Sequence, residues 1–170
     1  MNKKVYLALD QSLNISGYAF FSEKGSLLEK GTFSCPAKYP IEQRLYNIMK
    51  EVTELINEYS SDYEVVVFLE DIQNQNNIST YKKLAFVQAT ILLTCFFEKC
   101  DYMVISPSHW RRIIKEKHGI AFGRKREEQK ENAIAFVNEH FKIEATSDEA
   151  DAICLGCAGI IEYRNTKGAW

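Results

Sequence analysis

The chain has 170 residues, of which 46% are hydrophobic and 26% charged. That is the size of one domain, expected to span 1–170, and the composition excludes disordered, collagen-like and multidomain proteins. Lys+Arg 21 against Asp+Glu 23 leaves a formal net charge of −2, so any face for a polyanion has to come from how the cations are distributed along the chain.

Met1-Asn2-Lys3-Lys4 leads into an apolar run that stops at Asp10. The run is too short for a signal-peptide core or a membrane span, and a cytoplasmic protein is expected, in a bacterial or phage-infected bacterial cell. Five cysteines, Cys35, Cys95, Cys100, Cys154 and Cys157, sit in apolar contexts, which suits reduced, buried thiols rather than a disulfide frame. Cys154 and Cys157 form a CxxC, yet no second cysteine pair or closely spaced histidine pair accompanies it, so a zinc site would lack two ligands.

Val5, Leu7 and Leu9 alternate with Tyr6 and Ala8 before Asp10, the pattern of a strand buried on both faces. Ile15–Ser22 and Leu27–Ser34 are β-rich and flank the turn-like Glu23-Lys24-Gly25-Ser26, predicting an antiparallel meander of three strands. From Pro40 the apolar positions Ile41, Leu45, Ile48, Val52, Leu55, Ile56 and Tyr59 mark one face of a helix with proline near its first turn. Val65-Val66-Val67-Phe68-Leu69 is a fourth strand ending at Glu70, and a polar loop from Gln73 to Asn77 follows it. A largely apolar helix is expected over about 79–99, a fifth strand over 102–106 closed by Pro107, and then three helices, near 108–117, around Ala133, Ile134, Val137 and Phe141, and over about 147–163.

A carboxylate at the end of a two-face-buried strand is costly unless a cation sits opposite. Asp10 and Glu70 are both in that setting. Thr146-Ser147-Asp148-Glu149 reads as a capping box with Thr146 as N-cap and Glu149 at N3. Asp148 and Asp151 then share a face in the first turns of the last helix, where the helix dipole favours their ionised forms, and Ala152-Ile153-Cys154-Leu155 aims that region at the sheet. Taken singly, each acid also fits an ordinary ion pair or helix start; Glu149 reads as a cap and Asp71 as solvent-facing. Together the four converge on one point, and hard oxygen ligands select Mg²⁺ or Mn²⁺, two of which clamp the attacking and leaving oxygens in phosphodiester hydrolysis.

Leu7-Ala8-Leu9-Asp10-Gln11-Ser12 with Gly17, Phe68-Leu69-Glu70, Ser106-Pro107-Ser108-His109-Trp110-Arg111 and Asp148-Glu149-Ala150-Asp151-Ala152 resemble the RuvC-type Holliday junction resolvases, particularly their bacteriophage and Gram-positive forms, over nearly the whole chain. The resemblance implies an α/β, ribonuclease H-like fold: a five-stranded mixed sheet, three antiparallel strands then two parallel, flanked by helices on both faces, with the first and fourth strands adjacent. It implies that Asp10, Glu70, Asp148 and Asp151 are the catalytic acids holding two Mg²⁺ ions, for which Mn²⁺ substitutes, and that cleavage leaves a 5′-phosphate and a 3′-hydroxyl. It also implies a homodimer acting on branched DNA, chiefly four-way junctions, for which the helix carrying Leu84, Val87 and Ile91 is either the interface or a cover for the sheet.

From His109 to Lys130 the chain concentrates Arg111, Arg112, Lys115, Lys117, Arg124, Lys125, Arg126 and Lys130 against Glu116, Glu127 and Glu128. Of these, Arg111, Arg112, Lys115, Arg124, Lys125, Arg126 and Lys130 are the expected DNA-binding residues; Lys125, Arg126 or Lys130 matches the family's active-site lysine. Two departures stand out. Cellular relatives usually carry D-P-G after the first strand, where this chain has Asp10-Gln11-Ser12, and an aromatic often lies three residues beyond the second acid, where it has Gln73. A relaxed fork or flap nuclease, a non-catalytic DNA-binding protein on the same fold, and an actin-like ATPase are the alternatives.

Overall fold

A computed structural model describes residues 3–73 and 77–167; three of the residues expected in the Gln73–Asn77 loop, 74–76, lie outside them. The strands are β1 (Lys4–Asp10), β2 (Ile15–Ser22), β3 (Leu27–Ser34), β4 (Glu64–Glu70) and β5 (Asp101–Ile105), and the helices are α1 (Ile41–Ser60), α2 (Ile78–Phe97), α3 (Pro107–His118), α4 (Arg126–Phe141) and α5 (Ser147–Lys167). They make one sheet in the order β3-β2-β1-β4-β5. β1 pairs antiparallel with β2 and parallel with β4, and β4 pairs parallel with β5, so the expected mixed sheet is present.

The period of two in the central strands sends alternate side chains to two cores. Val5, Leu7 and Leu9 of β1, Phe20 of β2 and Val65, Val67 and Leu69 of β4 pack with Ile48, Val52 and Ile56 of α1 and Val87, Ile91 and Cys95 of α2. Tyr6, Ala8, Ala19, Phe21, Val66 and Phe68 face the other way, against α3, α4 and α5. α5 lies close on the sheet because Gly156 meets the Phe21 ring and Gly159 the Phe68 ring, where an added Cβ would come within 2.2 and 2.5 Å of ring carbons.

Element ends differ from expectation by a few residues where caps decide. Asn77 starts α2 by accepting from the backbone N–H groups of Ser79 and Thr80, and Lys99 at φ 56 turns the chain out of it. α5 runs on to Lys167. Of the three residues on which the two readings of α2 rest, Val87 and Ile91 are wholly buried against the sheet and so cover it, while Leu84 is half-buried and lines the cleft described below. The opposite face leaves Phe86, Leu93 and Phe97 at 50%, 57% and 70% exposure, spaced i, i+7, i+11 along one outward stripe.

Candidate active site

β1 and β4 run parallel in a register whose last pair is Leu9 with Leu69. Asp10 and Glu70 therefore end neighbouring strands side by side at the carboxyl end of the sheet, the position where α/β sheets carry their ligands. The Gln11 side-chain amide locks the two ends together: its Nε2 donates to the Glu70 carbonyl, and the Glu70 N–H donates to its Oε1 at 3.2 Å. Gln11 thus does with a side chain what one more strand residue would do with its backbone. Beyond it, the Ser12 hydroxyl accepts from the backbone N–H groups of Asn14 and Ile15, and Ser12 and Ser16 exchange two further bonds, so the turn that replaces D-P-G is internally bonded. Arg44, an almost buried cation in the apolar face of α1, completes that turn by donating to Leu13 O at 2.8 Å and Asn14 Oδ1 at 2.6 Å.

The third and fourth acids come from α5. Thr146 and Glu149 form the expected capping box, with Thr146 N–H donating to Glu149 Oε2 at 2.8 Å and Glu149 N–H to Thr146 Oγ1 at 3.4 Å, and Lys30 pairs with the same carboxylate at 3.0 Å. Glu149 is therefore a cap, and Asp71 is exposed, both as expected. The start of α5 can approach the sheet edge because β2 presents Gly17 there, opposite Asp10: an ideal Cβ on Gly17 would lie 2.0 Å from the Asp148 carbonyl oxygen.

Asp10, Glu70, Asp148 and Asp151 all line one cleft of about 860 Å³, with Arg111, Arg124, Arg126 and Lys130 around them. Of the seven expected DNA-binding residues these four line the cleft with the acids; Arg112, Lys115 and Lys125 are exposed and outside its lining, with Arg112 against the His109 ring at 3.0 Å. Burial, then the charges of Asp151, Glu70 and Asp148, push the Asp10 carboxyl well above its ordinary range against the pull of Lys130. Burial and Glu70 raise Asp151 to about 6, opposed by Arg111 and Lys130. Glu70 is raised by burial and held back by the Trp110 N–H and Arg111. Like charges at largely buried carboxylates disfavour one another's ionisation, and they line the cleft without any three His, Cys, Asp or Glu among the described residues closing into a ligand shell. The donor set itself, carboxylate oxygens without imidazole or thiolate, fits a hard divalent cation.

The turn between α3 and α4 carries the basic groups to this cleft. Gly119 ends α3 at φ 74 and Gly123 turns at φ 81, conformations that side chains resist. Glu128 Oε2 then accepts from Arg124 N–H at 3.1 Å and Lys125 N–H at 3.3 Å, and Asn132 Nδ2 donates to Phe122 O at 3.2 Å. These bonds tie the turn to α4. The three histidines stand apart from the acids: His118 and His140 pack on Phe136, and His109 pairs with Glu162 at 3.2 Å.

Two acids thus end adjacent strands and two begin the last helix, all in one cleft with cations in its lining. The family model described as Crossover junction endodeoxyribonuclease RuvC matches residues 6–158. The chain belongs to the RuvC family. Curated RuvC proteins of Dictyoglomus thermophilum and Dictyoglomus turgidum are 22% and 25% identical to it over 154 residues, covering 89% of this chain and 92% of theirs. A solved structure of T. thermophilus RuvC in complex with Holliday junction substrate superposes with a TM-score of 0.74 at 14% identity, covering 97% of this chain and 96% of that one. The fold is therefore that of RuvC, ribonuclease H-like, and its family activity is that of an endodeoxyribonuclease, a hydrolase of the DNA backbone. No helix among the described residues is long and apolar enough to cross a membrane.

Three residues of the site escape a reading of the sequence alone: Gln11, Arg44 and Trp110. Gln11 and Trp110 sit inside the RuvC-like motifs without an evident task, and the signal for Arg44 is a cation at a core position of α1, one turn before Ile48.

Proposed function

We propose that this chain is a single nuclease domain that dimerises and resolves four-way DNA junctions, with Asp10, Glu70, Asp148 and Asp151 as its catalytic acids. The observation that carries the reading is the gathering of these four carboxylates in one cleft whose rim is Arg111, Arg124, Arg126 and Lys130. The acids would hold two Mg²⁺ ions, or Mn²⁺, which supply an activated water and stabilise the leaving oxygen when bound. Arg124 and Arg126 draw the DNA backbone over the acids, a sequence-independent and salt-sensitive contact. Lys130 lines the cleft and opposes the charge of both Asp10 and Asp151, which supports it over Lys125 and Arg126 as the match for the family's active-site lysine. Lys130→Met is expected to lower turnover by roughly 10- to 100-fold, more than it weakens junction affinity, as single-turnover cleavage and gel-shift titration will report.

A two-fold substrate suits a two-fold enzyme, and the outward stripe Phe86, Leu93 and Phe97 on α2 is the surface that supports dimerisation. Placing charges there with Leu93→Glu and Phe97→Glu is expected to yield monomers in sedimentation velocity, with the cleft intact. The test of the function is incubation of the protein with end-labelled four-way junction, fork and linear duplex in Mg²⁺ and in EDTA. Paired symmetric nicks confined to the junction, and only with metal, are expected; equal cutting of forks would make it a broader branch nuclease, and tight binding without cleavage in Mg²⁺ or Mn²⁺ would overturn the reading.

A further inference from the structure

Trp110 is 1% exposed, on the second turn of α3. An indole offers a single donor and no acceptor, and burying it unpaired would cost a hydrogen bond. Its Nε1–H does not go to a backbone carbonyl: it donates to Glu70 Oε2 at 2.7 Å, the short distance of a charge-assisted bond. The same ring meets the edge of Phe122 at 5.2 Å and carries the Arg111 guanidinium at 4.6 Å from its centroid. Phe122 begins the turn that delivers Arg124 to the cleft, and Arg111 lines the cleft itself with its buried Nε lacking a hydrogen-bond partner among the described residues.

Resting on the nuclease reading above, we propose that Trp110 is a positioning residue for the reaction: it fixes the Glu70 carboxylate through Oε2, leaving Oε1 to face the cleft, and through its ring holds Arg111 and the Phe122 turn in register with that acid. Gln11 fixes the Glu70 main chain from the β1 side, so Glu70 is held at both its backbone and its carboxylate. A core-filling role would need only the apolar ring, most of which phenylalanine keeps at the cost of a small void. The indole N–H is what ties the ring to the acid, and a partner of this kind beyond the ligand shell typically contributes roughly 10- to 100-fold in metal affinity or activity.

The variant that separates the two roles is Trp110→Phe, which keeps an aromatic ring and removes the donor. Its turnover on the junction is expected to fall about tenfold or more, with KM for DNA within about twofold of wild type and the half-saturating Mn²⁺ concentration raised. A second readout needs neither metal nor cleavage. The chain has two tryptophans, so Trp170→Phe leaves Trp110 as the sole tryptophan, and adding Glu70→Ala in metal-free protein is expected to change the tryptophan emission; Mn²⁺ added to the Trp170→Phe protein is expected to quench it. Unchanged half-saturating Mn²⁺ in Trp110→Phe, or Trp110 emission indifferent to Glu70→Ala, overturns the proposal. Absence of junction cleavage by the wild-type protein would instead strike the nuclease reading, and the emission test would still decide whether Trp110 holds Glu70.

Discussion

Asp151→Asn is expected to abolish junction cleavage and, in the absence of divalent metal, to make the protein more stable at pH 7. Cleavage falls because an amide is a poor ligand for a hard cation; loss of one member of a catalytic set that acts as a unit costs on the order of 10³-fold or more. The stability gain comes from the same carboxylate seen from the side of folding. Burial and the neighbouring Glu70 raise Asp151 from an ordinary 3.8 to about 6. Between those values the folded chain keeps a proton that the unfolded chain has lost, so stability falls as pH rises through that window, and above it the full penalty remains. A rise from 3.8 to about 6 corresponds to roughly 2–3 kcal/mol. The difference in unfolding free energy between variant and wild type should be near zero below pH 4 and reach that size above pH 6, in urea titrations with EDTA present. A structural ion pair at this position would give the opposite sign, with the variant less stable at pH 7.

Gly17→Ala is expected to be nearly as damaging to activity, though it removes no chemical group from the cleft. The new methyl would lie 2.0 Å from the Asp148 carbonyl oxygen and 3.1 Å from the Glu149 N–H nitrogen, both backbone atoms of a helix packed on the sheet. They cannot turn aside as a side-chain tip could, so α5 has to shift, and Asp148 and Asp151 shift with it. Overpacking of this kind costs about 1–3 kcal/mol, and a displacement near 1 Å at a catalytic group costs about a hundredfold in rate. Thermal unfolding and single-turnover cleavage below the unfolding range would measure the two effects separately. A variant with wild-type turnover would mean that α5 does not set the position of the acids.

Much of this site can be read from sequence because its acids sit where patterns change. Asp10 and Glu70 are charges ending apolar runs, and Thr146 with Glu149 fixes the phase of α5, which puts Asp148 and Asp151 on a common face. Other parts cannot be read in that way. α2 is apolar on both sides, so periodicity gives its helical character without saying which face meets the sheet; only the packed structure assigns Val87 and Ile91 to the core and Phe86, Leu93 and Phe97 to the outside. Gln11 looks like a loop residue, since nothing in one dimension shows that its amide reaches the main chain of Glu70, fifty-nine positions away. The basic stretch reads as one surface, whereas the turn of α3 into α4 divides it, placing Arg111, Arg124, Arg126 and Lys130 in the cleft lining with the acids and leaving Arg112, Lys115 and Lys125 out of it.

Asp10, Glu70, Asp148 and Asp151 are proposed to hold divalent cations together. Isothermal titration of Mg²⁺ and Mn²⁺ into the DNA-free protein at pH 7, run beside Asp151→Asn and Glu70→Gln, tests this directly. Saturable binding by the wild type, accompanied by proton release from the raised carboxyls and lost or strongly weakened in both variants, is the expected result. Binding of equal strength in all three proteins, or no binding to the wild type with either ion, would contradict the metal-centre assignment and with it the proposed chemistry.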